Sequence, residues 1–188
     1  MNRRRTQVAA KTKASLIPKD DKMKDTVGFM VRIHMGRHAS AEIKAQLKAL
    51  GLNKKYDAAF VKLDREGIAK LRCIDAYVAY GYISSKSVVE LVHRRAYVKE
   101  GAERIPLSDN LVVEKLLGDK DILCLSDMSH EIYSVGGNFE AATGLLCTFQ
   151  LSAPVGAYEK KVLQVHDKVE TLGGFLGERM EEFLNKIL

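Results

Sequence analysis

An α+β fold is predicted, with a β-α-β-α-β core over residues 26–83 and a mostly helical extension over residues 84–188. Three observations carry this expectation. Apolar residues alternate with period two in three short runs of the first half. Between those runs, good N-cap residues precede apolar residues at helical spacing. The second half shows one helical stripe after another, with only brief extended stretches. Residues 1–25 stand apart as a polar, basic arm containing Pro18, expected to be disordered when alone. Residues 26–188 read as a single globular domain, because no repeat, heptad array or Gly/Ser linker divides them.

In Phe29–His34, Phe29, Val31 and Ile33 alternate with Met30, Arg32 and His34, the pattern of a half-buried strand that Gly36 ends. Ser40 is an N-cap, Ile43, Leu47 and Leu50 form the stripe, and Gly51 takes the C′ position. A second strand is expected at Ala58–Leu63, with Ala59, Val61 and Leu63 facing one way and Phe60 and Lys62 the other. Asp64 caps a short helix presenting Ile68 and Leu71, and a third strand runs from Tyr77 to Tyr82. These crossovers hold about ten helical residues each, so the core reads as a sheet with helices on one face.

Ser84 or Ser85 opens a helix with Val88, Leu91 and Val92 inward, ending at His93-Arg94-Arg95. Arg104–Leu107 is extended, and Pro106 suits an edge strand. Asp109 caps a helix closed by Gly118, and Ser126 starts another that Gly136-Gly137 ends. Asn138 begins a further helix, and Thr148–Leu151 is placed to return a strand to the sheet. From Phe175 to Leu188, apolar residues at Leu176, Met180, Phe183, Leu184 and Ile187 predict an amphipathic helix.

The 188 residues carry 30 Lys+Arg against 24 Asp+Glu, a net charge of +6. Arg3, Arg4, Arg5, Lys11, Lys13 and Lys19 account for all of that excess, so a neutral globule bears a basic arm. No apolar segment follows the basic N-terminus, which argues against a secretory signal. The longest uncharged run, Ala141 to Tyr158, is broken by Gly144, Gln150, Ser152, Pro154 and Gly156, so it reads as a helix end, a strand and a turn. Cys73, Cys124 and Cys147 form no CxxC pair and sit among apolar neighbours, as small buried thiols do in a reducing compartment. A cytosolic protein without a membrane segment is expected.

Catalytic signals are weak. His130-Glu131 resembles the start of a zinc-protease motif, but Ser134 occupies the position of the second ligand. His34 and His38 are separated by Gly36 at a strand end and need not share a face. Gly173-Gly174 with Gly177 has neither the preceding apolar strand nor the Lys of a phosphate loop. No enzyme, cofactor, metal or small-molecule substrate is expected.

Nucleic-acid signals are stronger. The arm's six bases without an acid suit a phosphate-rich surface, and equally an anionic lipid or a localisation signal. His93, Arg94, Arg95, Tyr97 and Lys99 gather cations and an aromatic within seven residues, although the helix dipole alone favours cations there. Arg32, Phe60, Lys62 and Tyr80 could share the second sheet face as a base-stacking surface, but aromatic core is the safer reading, since the third strand has no basic-Gly-aromatic pattern.

One family resemblance runs through the chain. Phe60-Val61-Lys62-Leu63, Tyr77-Val78-Ala79-Tyr80-Gly81-Tyr82 and Lys86-Ser87-Val88-Val89-Glu90-Leu91 carry it first. It continues through Arg95-Ala96-Tyr97-Val98-Lys99, Arg104-Ile105-Pro106-Leu107-Ser108-Asp109-Asn110 and His130-Glu131-Ile132-Tyr133-Ser134-Val135-Gly136, and ends at Phe149-Gln150-Leu151-Ser152-Ala153-Pro154. These blocks resemble the large-subunit ribosomal protein family numbered seven in eukaryotes and thirty in bacteria, in its eukaryotic and archaeal branch. The resemblance implies a three-stranded antiparallel core related to ferredoxin-like folds. It implies an architectural role in the cytosolic large subunit, with large-subunit rRNA, 5S rRNA and neighbouring ribosomal proteins as partners, and nucleolar assembly in a eukaryote. A paralogous assembly factor on precursor rRNA is the near alternative, and a small phosphate-handling enzyme on the same scaffold the distant one. The RNA contacts expected are Arg3, Arg4, Arg5, Lys11, Lys13, Arg32, Arg37, Lys62, Arg94, Arg95, Tyr97, Lys99 and Arg104. The loop Met35-Gly36-Arg37-His38 and the Arg95 to Arg104 connection are their centres. Where relatives carry bases, this chain has Asn138, Glu140, Gln150 and Val155.

Overall fold

The computed structural model describes residues 26–36, 39–100, 103–153 and 173–188, and the first strand among them is the middle strand of the main sheet. Strand β1 (Val27–Arg32) pairs antiparallel with β2 (Asp57–Lys62) on one side and with β3 (Val78–Tyr82) on the other. Helix α1 (Ala41–Ala49) joins β1 to β2, and α2 (Arg65–Cys73) carries the chain across β1 to β3. This is the split β-α-β arrangement expected of the core. The caps are where the side chains predict them: Ser40 accepts from Ile43 N, Asp64 accepts from Gly67 N at 2.6 Å, and Gly51 ends α1 with φ +75°.

The sheet is wider than its three-stranded core. Strand β6 (Phe149–Gln150) adds antiparallel to β2, and β7 (Gly174–Gly177) adds parallel to β3, giving the order β6-β2-β1-β3-β7. The predicted Phe175–Leu188 helix is therefore corrected. Phe175 lies in β7, its ring 5.6 Å from that of Tyr80 and 5.5 Å from that of Tyr82, and the helix that follows, α7, is Arg179–Leu184. Gly81 makes this docking possible, because a Cβ there would stand 2.5 Å from the main-chain oxygen of Gly177.

Between β3 and β6 the chain forms α3 (Ser85–Arg95), the hairpin β4 (Tyr97–Glu100) and β5 (Glu103–Pro106), α4 (Asn110–Leu117), a 3-10 turn at Gly118–Lys120, α5 (Leu125–Ser134) and α6 (Phe139–Leu145). Ser84 is the N-cap of α3 and Asp109 that of α4. Helix α5 begins one residue before the predicted Ser126, because the Cys124 thiol and Asp127 form a reciprocal capping box. The extended Arg104–Leu107 stretch pairs with β4 in a separate two-stranded sheet.

Both faces of the main sheet are covered, not one. On one face, Met30, Val78 and Tyr80 pack with Leu47 of α1, Leu52 just after it, and Ile68 and Leu71 of α2. On the other, Phe29, Val31, Phe60 and Ala79 pack with Val88, Leu91, Val113, Met128, Ile132, Phe183 and Leu184 from the later helices. Phe29, Phe60 and Phe149 form a ring cluster at 5.3–6.0 Å there. Strand alternation thus places Phe60 and Tyr80 on opposite faces, each in the core, as the safer reading had it. The three cysteines are not buried as expected: Cys73 is exposed, and Cys124 and Cys147 are partly so. No helix among the described residues is long and apolar enough to cross a membrane.

Candidate nucleic-acid interface

Helix α3 delivers its cations to a surface because its C-terminus stops at the hairpin. Val88, Leu91 and Val92 face the core, so the last turn must turn His93 and Arg94 outward. Ala96 then takes an extended conformation, and β4 starts at once. In the hairpin, Tyr97 opposes Pro106, Val98 opposes Ile105 and Lys99 opposes Arg104. Val98 is buried and Lys99 exposed, so Tyr97, Lys99 and Arg104 share the outer face.

A cleft of about 540 Å³ lies between these elements and β6, lined by Arg94, Arg95, Tyr97, Arg104 and Gln150. The Arg104 guanidinium carbon sits 5.3 Å from the Tyr97 ring centroid, and one of its nitrogens donates to Thr148 O at 3.2 Å. Arg95 donates to the main-chain oxygen of Leu188 at 2.9 Å, as its half-buried position at the end of the α3 stripe allows. Arg94 pairs with Glu90 at 2.6 Å, the i,i+4 partner that helical spacing predicts, and the Arg94 side chain stays 73% exposed. Three guanidinium groups and one aromatic ring therefore converge, with no carboxylate in the lining. A shallower groove lined by Lys86, Val89, Glu90, His93 and Arg94 continues the surface along α3. A larger cleft of about 720 Å³ beside β6 has Glu140 as its one charged lining residue and offers nothing to a phosphate.

The remaining sequence candidates fall elsewhere. Arg32 is 7% exposed, and its guanidinium donates to His34 O, Leu52 O, Asn53 O and Met35 O at 2.5–3.1 Å. It ties the β1–α1 loop to the α1–β2 loop with four of its five N–H donors. Its expected place on a stacking surface is thus replaced by a structural one. Burial lowers its pKa, with Asp57 acting in the opposite direction. Next to it, burial and then Lys55 hold His34 below the ordinary histidine value. Lys62 is half-buried at the far end of β2 from Gln150's partner Asp57, about 16 Å along the strand, so it does not join the cleft. Arg3, Arg4, Arg5, Lys11, Lys13, Arg37 and His38 lie outside the described residues.

Glu131 accepts from Asn138 N at 2.6 Å and closes the turn after α5, which accounts for that half of the His130-Glu131 pair. Among the described residues no cluster of His, Cys, Asp or Glu could hold a metal ion. Two features of the cleft escaped sequence reasoning: the Gln150 wall and the anchoring of Arg95 and Arg104 on distant main-chain oxygens. Neither leaves a local signal.

Comparison with known proteins places these observations. No family model matches the chain. It is 38% identical over 162 residues to the Caenorhabditis elegans large ribosomal subunit protein uL30, covering 86% of this chain. It is 33% identical over 183 residues to the Drosophila melanogaster protein of the same name, covering 97% of this chain. The chain spans 64% and 69% of the lengths of these two relatives.

Proposed function

The chain belongs to the uL30 family of large ribosomal subunit proteins, and from that premise we propose that it is a structural constituent of the cytosolic large subunit, bound to large-subunit rRNA near 5S rRNA. The observation that carries this is the cleft in which Arg94, Arg95 and Arg104 converge around Tyr97. Guanidinium groups match phosphate oxygens in charge and in bidentate geometry, and an aromatic ring beside them suits a base or a ribose. The Arg94 end of its pair with Glu90 lies in solvent, where ion pairs are weak, so Arg94 can turn from the carboxylate to a phosphate at little cost. The role is positional: cations hold RNA segments against one another and against neighbouring ribosomal proteins. The relatives are named as a ribosomal subunit protein and not by a catalysed reaction. In a eukaryotic cell, assembly takes place in the nucleolus before the subunit reaches the cytoplasm.

Fractionation of a cell lysate tests this. The protein is expected in the large-subunit, monosome and polysome peaks, and to move to the large-subunit peak when subunits are separated. Its confinement to precursor particles would instead identify an assembly factor that leaves before translation.

A further inference from the structure

Resting on the reading of this cleft as an rRNA interface, we propose that it is built for an unpaired nucleotide, whose base stacks on the face of Tyr97 opposite Arg104. Tyr97 lines the cleft and is 41% exposed, a large aromatic side chain that the fold leaves uncovered. Its ring is already held in place. Arg104 lies over it at 5.3 Å and is itself fixed by Thr148 O. The main chain is pinned on both sides of the ring, by Cys147 N donating to Tyr97 O at 2.7 Å and Leu107 N donating to Ala96 O at 2.9 Å. A ring so held loses little freedom when a base covers it, which favours stacking over a loose contact.

A continuous duplex cannot use this platform. Within an A-form helix both faces of each base are covered by stacked neighbours, and the protein meets phosphates and 2′-hydroxyls. A bulged or splayed base exposes its face. Arg94 and Arg95 then stand where the flanking phosphates pass, and the Gln150 amide supplies both a donor and an acceptor for a base edge. A neutral amide such as that of Gln150 suits reading a base edge better than gripping a phosphate.

The test uses the full chain and two RNA hairpins that differ by one adenine bulged from the stem, that adenine replaced by its fluorescent analogue aminopurine. The intact protein is expected to bind the bulged hairpin about ten-fold more tightly than the paired one, and to quench the analogue on binding. Tyr97→Phe keeps both effects, because the ring remains. Tyr97→Ala loses the preference and the quench, so that the bulged hairpin binds no more tightly than the paired one. The quench is read on the unaltered protein, so it does not depend on any variant folding. Equal affinity for both hairpins with no quench would overturn the unpaired-nucleotide site and leave the RNA interface standing. Failure to bind either hairpin would overturn the interface itself, and this inference with it.

Discussion

Replacing Arg32 by Ala leaves the main-chain oxygens of His34, Met35, Leu52 and Asn53 without the donor that joins them. Buried hydrogen bonds from a charged group are among the more expensive to lose, so the variant should be less stable by about 2–4 kcal/mol in denaturant melts. Its affinity for RNA, corrected for the folded fraction, should not change. A stable variant with weakened RNA binding would return Arg32 to the interface. The sequence could not separate these roles, because Arg32 alternates with Val31 and Ile33 as a solvent-facing residue does. The α1–β2 loop that folds over it, at Leu52 and Asn53, comes from 20 and 21 residues further along the chain. Arg94 was legible for the opposite reason: its partner Glu90 lies one helical turn away, and that spacing alone pairs them.

Helices α3 and α7 are joined by one carboxylate. Glu181 on α7 accepts from Ser84 N at 3.1 Å, from the Ser84 hydroxyl at 2.6 Å and from the Ser87 hydroxyl, at the N-terminus of α3. Burial pushes its pKa up, but the hydrogen bonds from Ser84 and Ser87 outweigh that, and the net shift is downward from the ordinary 4.5. A carboxyl depressed in the folded state stabilises above its unfolded pKa and loses that contribution as pH falls through the folded value. Glu181→Gln should therefore cost about 1–2 kcal/mol at neutral pH. The difference from the parent should stay constant down to about pH 4.5 and close below it. Thermal melts across that range check this, and a gap that widens in acid would refute it.

Most elements were legible from local signals. Ser40, Asp64, Ser84 and Asp109 cap helices where their side chains suggest, and the alternation over Phe29–Ile33 and Ala58–Leu63 assigns the correct sheet faces. The C-terminal assignment failed because Phe175 and Leu176 also fit the helical spacing of Met180 and Phe183. The pairing of Phe175 with Tyr80 and of Gly177 with Gly81 is a long-range event with no local mark. The face covered by α4, α5 and α7 was hidden for the same reason.

At the scale of the molecule, charge separates into two parts. Residues 1–19 hold six bases and no acid, and the net charge of +6 falls to zero without them. Deleting them should leave the melting temperature nearly unchanged, since they present no periodic apolar face. The salt dependence of RNA binding should fall. At roughly 0.7–0.9 per neutralised phosphate, full engagement of the arm contributes at most about 4–5 to the slope of log affinity against log salt. The cleft should supply the slope that remains. A salt titration of both proteins on one rRNA fragment measures this, and an unchanged slope would assign the arm another partner.

The union of Ser84 with Glu181 spans 97 residues of chain, and the parallel pairing of β7 with β3 reaches about as far. Synthesis proceeds at roughly 5–20 residues per second, so some 5–20 s separate the emergence of β3 from the arrival of its last partner. Throughout that interval β3 has an open edge, and the hollow that Met180, Phe183 and Leu184 will fill is exposed. The growing chain is thus an adhesive intermediate until its final elements appear, and a factor that shields that edge would determine how much of it survives to meet RNA.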